Sequence, residues 1–300
     1  MKTTVRNTIT LFMVLVSSQA LFSQKKEIEI KTHKVADNLY MLEGMGGNIG
    51  IFVSDDEVFM IDSQFKQVSE KITEAIRKIT DKPIKLLVNT HWHGDHTGGN
   101  GNFKNNGATI FSHENVRKRM QHDQTARGGR KVPKSPEEQL PVITFSKDMM
   151  FHLNGEDILV SHTHNAHTDG DSHVYFMTSN VIHMGDTYFQ GKFPFIDLNN
   201  GGSINGYIES AKKVLLLINN DTVIIPGHRN LSNKQELKTY LKMLETLRER
   251  VSKAIKEQKT LEEVSNDESI TQEYKEEYGG WFISAKEIRE TIYKSLKNER

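Results

Sequence analysis

Apolar positions along the chain recur with two periods. Short runs rich in β-branched and aromatic residues at 38–43, 48–54 and 58–62 are separated by Gly, Asn and Asp turns, which predicts successive strands. Val68, Ile72, Ile76 and Ile79 then repeat at helical spacing before Asp81 and Pro83 close the helix. The largely apolar stretch IKLLVN at 84–89 predicts a fully buried strand, followed by a strand at 108–112 and a helix from Glu114 to about Met120. A basic, proline-containing stretch, TARGGRKVPKSPEEQLP, is expected to be an exposed loop. Strands at 149–153, 156–162, 173–177 and 181–185 come next. Ser203 is positioned to cap a helix with the apolar face Ile204, Tyr207, Ile208, Ala211, Leu215 and Ile218, and TVIIPGH predicts a last buried strand ending at His228. Both halves begin with strands and end in strand-helix units, so two sheets packed face to face with helices outside are expected. Beyond His228 the pattern is helical. Ser232 with Gln235, and Ser284 with Glu287, have capping-box spacing ahead of Leu237, Leu241, Leu244 and of Ile288, Ile292, Leu296. These helices are expected to dock on the main domain.

Candidate chemistry concentrates in VNTHWHGDHTGGN, directly after the 84–89 strand. His91 and His93 alternate and can aim two imidazoles at one ion, while Asp95 and His96 in the next turn aim at a second position. One loop offers too few ligands for two ions, and other predicted strand ends supply more: His167 in NAHTDGDS, Asp186 in HMGDTYF and His228 in IIPGHRN. Spacing alone leaves His162, His164 and His167 as rivals. Asp62, ending a strand, is expected to brace a ligand, and Asp169 and Asp171 are expected to form turns. His33, His113, His122, His152, His173 and His183 are expected in the core, in turns or at the surface. The glycines of EGMGGN are expected to form a mobile hairpin or an ordinary tight turn.

Composition narrows the chemistry. The 300 residues, 36% of them hydrophobic, suffice for one large domain. The absence of cysteine excludes disulfides, thiolate zinc sites and a cysteine nucleophile, leaving nitrogen and oxygen as metal donors. With 39 basic and 39 acidic residues there is no net field to recruit nucleic acid or an anionic membrane, so a small-molecule substrate is expected. At the N-terminus Lys2 and Arg6 precede an apolar run at 9–16, then small residues and a charged start at Lys25. This is the layout of a signal peptide cleaved between residues 20 and 24. The run falls short of the roughly 20 apolar residues a membrane span needs. The expected organisation is a signal peptide at 1–23, a catalytic domain at 24–230 and a helical extension at 231–300, in a periplasmic or secreted protein with no stable membrane insertion once the signal is removed.

Taken together, HxHxDH at residues 91–96, the lone His167 followed by TDGDS, Gly-Asp after a strand and Pro-Gly-His after a strand resemble the metallo-β-lactamase superfamily over about residues 48–230. The resemblance implies an α/β fold, an αβ/βα sandwich of two mixed sheets with outer helices. It also implies a two-metal site, and it selects His167, with His164 at the rim. By that resemblance His91, His93 and His167 hold a first zinc, Asp95, His96 and His228 a second, and Asp186 bridges them. Two zinc ions are the expected cofactors, with iron or manganese also compatible with the donors. The implied function is hydrolysis of a cyclic amide such as a β-lactam, a lactone or a thioester by a metal-bridging hydroxide that Asp95, as the catalytic residue, helps to aim. The β-lactamases proper carry cysteine or no ligand where Asp186 stands, whereas a bridging aspartate resembles glyoxalase II, lactonases and RNase Z, which disfavours efficient β-lactam hydrolysis. FPFIDLNNGGS and YGGWFIS are similar to stretches of exported superfamily members. An iron-dependent redox enzyme of the same fold and a non-catalytic metal-binding protein are the alternatives.

Overall fold

Apolar residues from two sheets meet in one seam: Leu39, Phe52, Phe59, Ile61, Val88 and Phe111 of the first pack with Ile158, Val160, Val174, Phe176 and Ile225 of the second. The edge-on pair Phe59 and Phe176, with ring centroids 6.1 Å apart, crosses the seam. Each such side chain contributes about 1.5–3 kcal/mol by leaving water, so this layer is the main adhesive between the halves. The computed structural model describes residues 28–298. Residues 1–27, on which the signal-peptide expectation falls, and 299–300 lie outside the described residues. Among the described residues no helix is long and apolar enough to cross a membrane.

The first sheet runs Lys31–Ala36, Leu39–Glu43, Ile49–Val53, Val58–Ile61, Ile84–Asn89, Thr109–His113, Ile143–Phe145, antiparallel through the fourth strand and parallel thereafter. The second runs Asp148–Leu153, Glu156–His162, Ser172–Phe176, Val181–His183, Val223–Ile225, Ser232–Asn233, and its fourth and fifth strands are parallel. On the outer face of the first sheet lies the helix Ser69–Arg77, whose Ile72 and Ile76 cover Ile49, Ile51, Met60 and Leu87. Over the second lie the helices Ile204–Leu217, Lys234–Lys256 and Ala285–Asn298, with Ile208, Leu244 and Ile292 in one cluster with Ile182 and Ile224. The architecture is therefore the expected αβ/βα sandwich of two mixed sheets. The C-terminal helices share that buried cluster with the second sheet.

This topology places the chemistry. Val58–Ile61 is parallel to Ile84–Asn89, and Val181–His183 to Val223–Ile225. Parallel neighbours end on the same side, so the residues just after them, Asp62, His91, Asp186 and His228, are delivered to one rim.

Several elements differ from expectation, among them the strand Ile143–Phe145, the long helix's cap and the first edge strand. Ser232 does not cap the long helix: Asn233 does, its side-chain oxygen accepting from the backbone of Gln235 (2.9 Å) and Glu236 (3.0 Å). Ser232 is held in a strand pairing with Ile224, and its hydroxyl donates to Glu236. The strand Lys31–Ala36 is an edge with three exposed residues and none fully buried, so it carries no apolar run to announce it. Ser284 and Glu287 do form their capping box, with Ser284 N donating to Glu287 Oε2 at 2.9 Å and Glu287 N to Ser284 Oγ at 3.2 Å.

His173 behaves as the structural residue expected. Its Nε2 lies 2.9 Å from Thr187 Oγ1, and burial pushes its pKa from 6.5 down to about 3. Because the unfolded chain takes up this proton near pH 6.5 while the folded chain resists to about pH 3, the stability is present above 6.5 and lost as pH falls through that window. Denaturant unfolding of wild type and His173→Gln across this window should differ in slope by about 1.4 kcal/mol per pH unit. Parallel curves would contradict a neutral buried His173.

Candidate metal centre

The inner nitrogens of three imidazoles, two from the first sheet's loop and one from the second's, meet at the rim. His93 Nδ1 lies 3.2 Å from His91 Nε2 and 2.9 Å from His167 Nε2. Their outer nitrogens determine what these inner atoms are. His93 Nε2 lies 3.0 Å from Asp197 Oδ2 and His167 Nδ1 2.7 Å from the Phe195 carbonyl, acceptors that require an N–H there. His91 Nδ1 faces Thr90 Oγ1 at 3.1 Å, and that hydroxyl already gives its own proton to Asp62 Oδ2 at 2.7 Å. The inner nitrogens are then bare, and three lone pairs point at one another. Only a cation between them makes that arrangement favourable. Burial, reinforced by the neighbouring imidazoles, holds His91 well below the usual histidine range and His167 at about 4, so both stay neutral as ligands must.

A second set of donors lies beside the first. His96 Nε2 is 3.0 Å from Asp186 Oδ1 and 3.7 Å from Asp95 Oδ2, while His228 Nε2 is 3.3 Å from Asp95 Oδ2 and 3.4 Å from Asp186 Oδ1. Despite their proximity, His96 Nε2 and Asp186 Oδ1 are buried without a hydrogen-bond partner. Buried orphans of this kind are costly, and both atoms aim at a shared point. Burial on its own would raise Asp95, but His96 and His228 hold it down at about 2, so its carboxylate is ionised. Asp186 also presents Oδ2 to the first set, 3.8 Å from His91 Nε2 and 3.6 Å from His167 Nε2. The donors of His91, His93, His167 and Asp186 lie within 4.8 Å of one another, as do those of Asp95, His96, Asp186 and His228. All seven sequence candidates therefore converge, and the all-nitrogen-and-oxygen set fits a divalent ion such as zinc, iron or manganese.

Behind the donors stand residues that orient them. Asp62, expected as a brace, accepts from Thr90 N (2.8 Å), Thr90 Oγ1 (2.7 Å) and His96 Nδ1 (2.7 Å), tying both sets together. Asp171 closes its turn as expected by accepting from the backbone of His167 (2.7 Å) and Thr168 (2.8 Å). Asp169 instead pairs with Arg119 at 2.7 Å. His164 is exposed, its ring packing edge-on 6.1 Å from His162, and none of its contacts reaches the donor sets. Sequence reasoning passed over Asp197, although it stands in the FPFIDLNN stretch, and Gln64.

Gln64 corrects the expected mobile hairpin. It accepts from Met45 N (3.0 Å) and Gly46 N (3.2 Å) and donates to the Gly47 carbonyl (2.7 Å), while Asn48 N donates to the Gly227 carbonyl (2.7 Å). The hairpin is anchored along its length. Its glycines serve close approach: a Cβ on Gly47 would lie 2.1 Å from His96 Cε1.

Above the donors opens a cleft of about 940 Å³, with Trp92, Phe189 and Phe195 in its walls. The basic loop is exposed as expected, and its Arg127 and Arg130 line the cleft. Trp281, Phe282 and Glu287 of the C-terminal extension line it as well.

Comparison with known proteins agrees with this geometry. A hydroxyacylglutathione hydrolase of Polaromonas sp. is 25% identical over 163 residues, 54% of this chain and 54% of its own length, so the likeness spans about half of that protein. A metallo-beta-lactamase type 2 of Elizabethkingia meningoseptica is 21% identical over 225 residues, 72% of this chain and 85% of its own. The solved structure of a metallo-beta-lactamase from Pontibacter korlensis superposes with a TM-score of 0.60 at 18% identity, over 72% of this chain and 99% of that one, which speaks for the fold. The profile of the metallo-beta-lactamase superfamily matches residues 42–228, and the chain belongs to that superfamily.

Proposed function

We propose that the protein is a binuclear zinc hydrolase of acyl compounds that acts on lactones or thioesters in preference to β-lactams. The observation that carries this reading is the double reach of Asp186, Oδ2 toward His91 and His167 and Oδ1 toward His96 and His228. In this reading His91, His93 and His167 would hold one ion and Asp95, His96 and His228 the other, with the Asp186 carboxylate within reach of both sets. Bound there, the pair of ions supplies Lewis acidity and lowers the pKa of water from about 15.7 toward about 7.

The chain's own residues supply aim and exclusion. Asp95, ionised and only 26% exposed at the cleft floor, accepts a hydrogen bond from the attacking water and holds its lone pair toward the acyl carbon. The outer partners Asp197, Asp62 and the Phe195 carbonyl keep the imidazoles in their tautomers. Trp92, Phe189 and Phe195 exclude bulk water around the scissile bond. In the reaction the water oxygen joins the acyl carbon, the bond to the leaving oxygen, sulfur or nitrogen breaks, and the leaving atom departs with a proton. The likeness to a hydrolase of acylated glutathione supports a thioester or related ester, and the carboxylate at 186 argues against β-lactams as preferred substrates.

A panel of lactones, thioesters and β-lactams assayed at fixed zinc tests the reading. The highest kcat/KM is expected on a lactone or thioester, with weak β-lactam turnover. A kcat/KM near the diffusional ceiling of about 10⁸ M⁻¹s⁻¹ on a penicillin or carbapenem would show the substrate assignment to be wrong.

A further inference from the structure

Two aromatic side chains in the cleft wall keep much of their surface open to solvent. Trp281 is 39% and Phe282 46% exposed, on the segment leading into the helix Ala285–Asn298. The segment stands against the second donor set and reaches the first through Phe195. The Trp281 ring lies 5.5 Å from that of His228 and 5.7 Å from Phe189, and Phe282 meets Phe195 edge-on at 5.5 Å. Phe195 in turn stacks on His93 at 5.7 Å. Adjacent aromatic surface left uncovered inside a concave site marks a place for an apolar ligand group.

The segment is clamped from the opposite wall. The Arg127 guanidinium sits 4.5 Å over the Phe282 ring, donates to the Phe282 carbonyl at 3.1 Å and pairs with Glu287. Its charge is thereby answered within the wall. Arg130 lines the same cleft, and among the described residues it has no ion-pair partner. The wall thus offers an apolar shelf beside one unanswered cation.

We propose that this wall selects the substrate: an anionic acyl compound whose aryl or alkyl group seats against Trp281 and Phe282 while a carboxylate turns toward Arg130. The inference names the substrate class of the hydrolase proposed above and rests on that reading. A small acyl group would leave the aromatic shelf wet, and a neutral compound would leave Arg130 without a counter-charge.

The chain's two tryptophans, Trp92 and Trp281, both line the cleft, so intrinsic fluorescence reports occupancy independently of turnover. The zinc-loaded protein is titrated with 4-phenylbutyrate, its amide and acetate, and kcat/KM is measured for the phenylacetyl and acetyl thioesters of mercaptoacetate. Phenylbutyrate should bind at least about tenfold more tightly than either control, and the phenylacetyl thioester should be preferred by about ten- to a hundredfold, the effect of burying one ring. Trp281→Ala and Phe282→Ala should each lower the phenylacetyl-to-acetyl ratio about tenfold, mainly through KM, with Trp281→Phe retaining most of it. Arg130→Gln should remove the preference for the acid over the amide. Thioester hydrolysis with no aryl preference, together with emission indifferent to phenylbutyrate, would overturn the wall and leave the hydrolase reading standing. Selective binding of phenylbutyrate with no hydrolysis of any thioester or lactone would support the wall and overturn the hydrolase reading.

Discussion

Asp186→Asn is expected to cost the second ion more than a hundredfold in affinity and to cut hydrolysis by a similar factor or more. The carboxylate stands in both donor sets, and its Oδ1 is buried with no other partner. Loss of a residue that merely orients a ligand costs about 10–100-fold in affinity or activity, so loss of a shared charged ligand should exceed that range. An amide of the same size offers one neutral oxygen and, on the other side, N–H groups that repel a cation. The set of Asp95, His96 and His228 then holds one carboxylate, whereas the first set keeps three imidazoles, so the second ion should be lost first. Calorimetric zinc titration of metal-free wild type and variant, with activity read at each ratio, measures the order. Two zincs bound as tightly as in wild type with full activity would mean that Asp186 is no bridge.

Asp62→Asn should cost about 10–100-fold in metal affinity although residue 62 touches neither ion. Its two oxygens accept from three donors, Thr90 N, Thr90 Oγ1 and His96 Nδ1. An amide has one oxygen and must turn its NH2 toward at least one of those donors. Either His96 loses the acceptor that fixes its tautomer, or Thr90 loosens and with it the partner of His91 Nδ1. The backbone need not suffer, because residue 62 sits at φ +62°, a conformation that Asn tolerates as well as Asp. The variant should therefore keep the wild-type circular dichroism while its zinc isotherm weakens. An unchanged isotherm would show that Asp62 carries none of the orientation assigned to it.

What the sequence revealed and what it withheld divide along physical lines. The strand Ile84–Asn89 was legible because Leu86, Leu87 and Val88 are a local apolar signal, but it is not fully buried as expected: Lys85 is exposed and only its last three residues are buried. The donors were legible because metal chemistry demands particular residue types at strand ends, and His91, His93, Asp95 and His96 come crowded together. Contacts made across long sequence separations were not. Asp197 meets a histidine 104 residues away, and nothing near Asp197 signals that partner. Gln64 acts through backbone groups of the glycine hairpin, which any amide of the right reach could serve. Trp281 and Phe282 stand at a helix approach where aromatic residues read as packing, and only the folded chain carries them over the cleft. The cap moved from Ser232 to Asn233 because pairing with Ile224 claims Ser232 for a strand, a tertiary demand that overrides local spacing.

The central claim is that two ions share Asp186 in a hydrolytic site. Elemental analysis of the protein as isolated from its native host, with its absorption spectrum and its hydrolytic activity before and after chelation, tests it most directly. The expected result is two zincs per chain, no visible band, and lactone or thioester hydrolysis that is lost on chelation and restored by the second equivalent of zinc. A single zinc at saturation with full activity, or iron with a charge-transfer band, would contradict it.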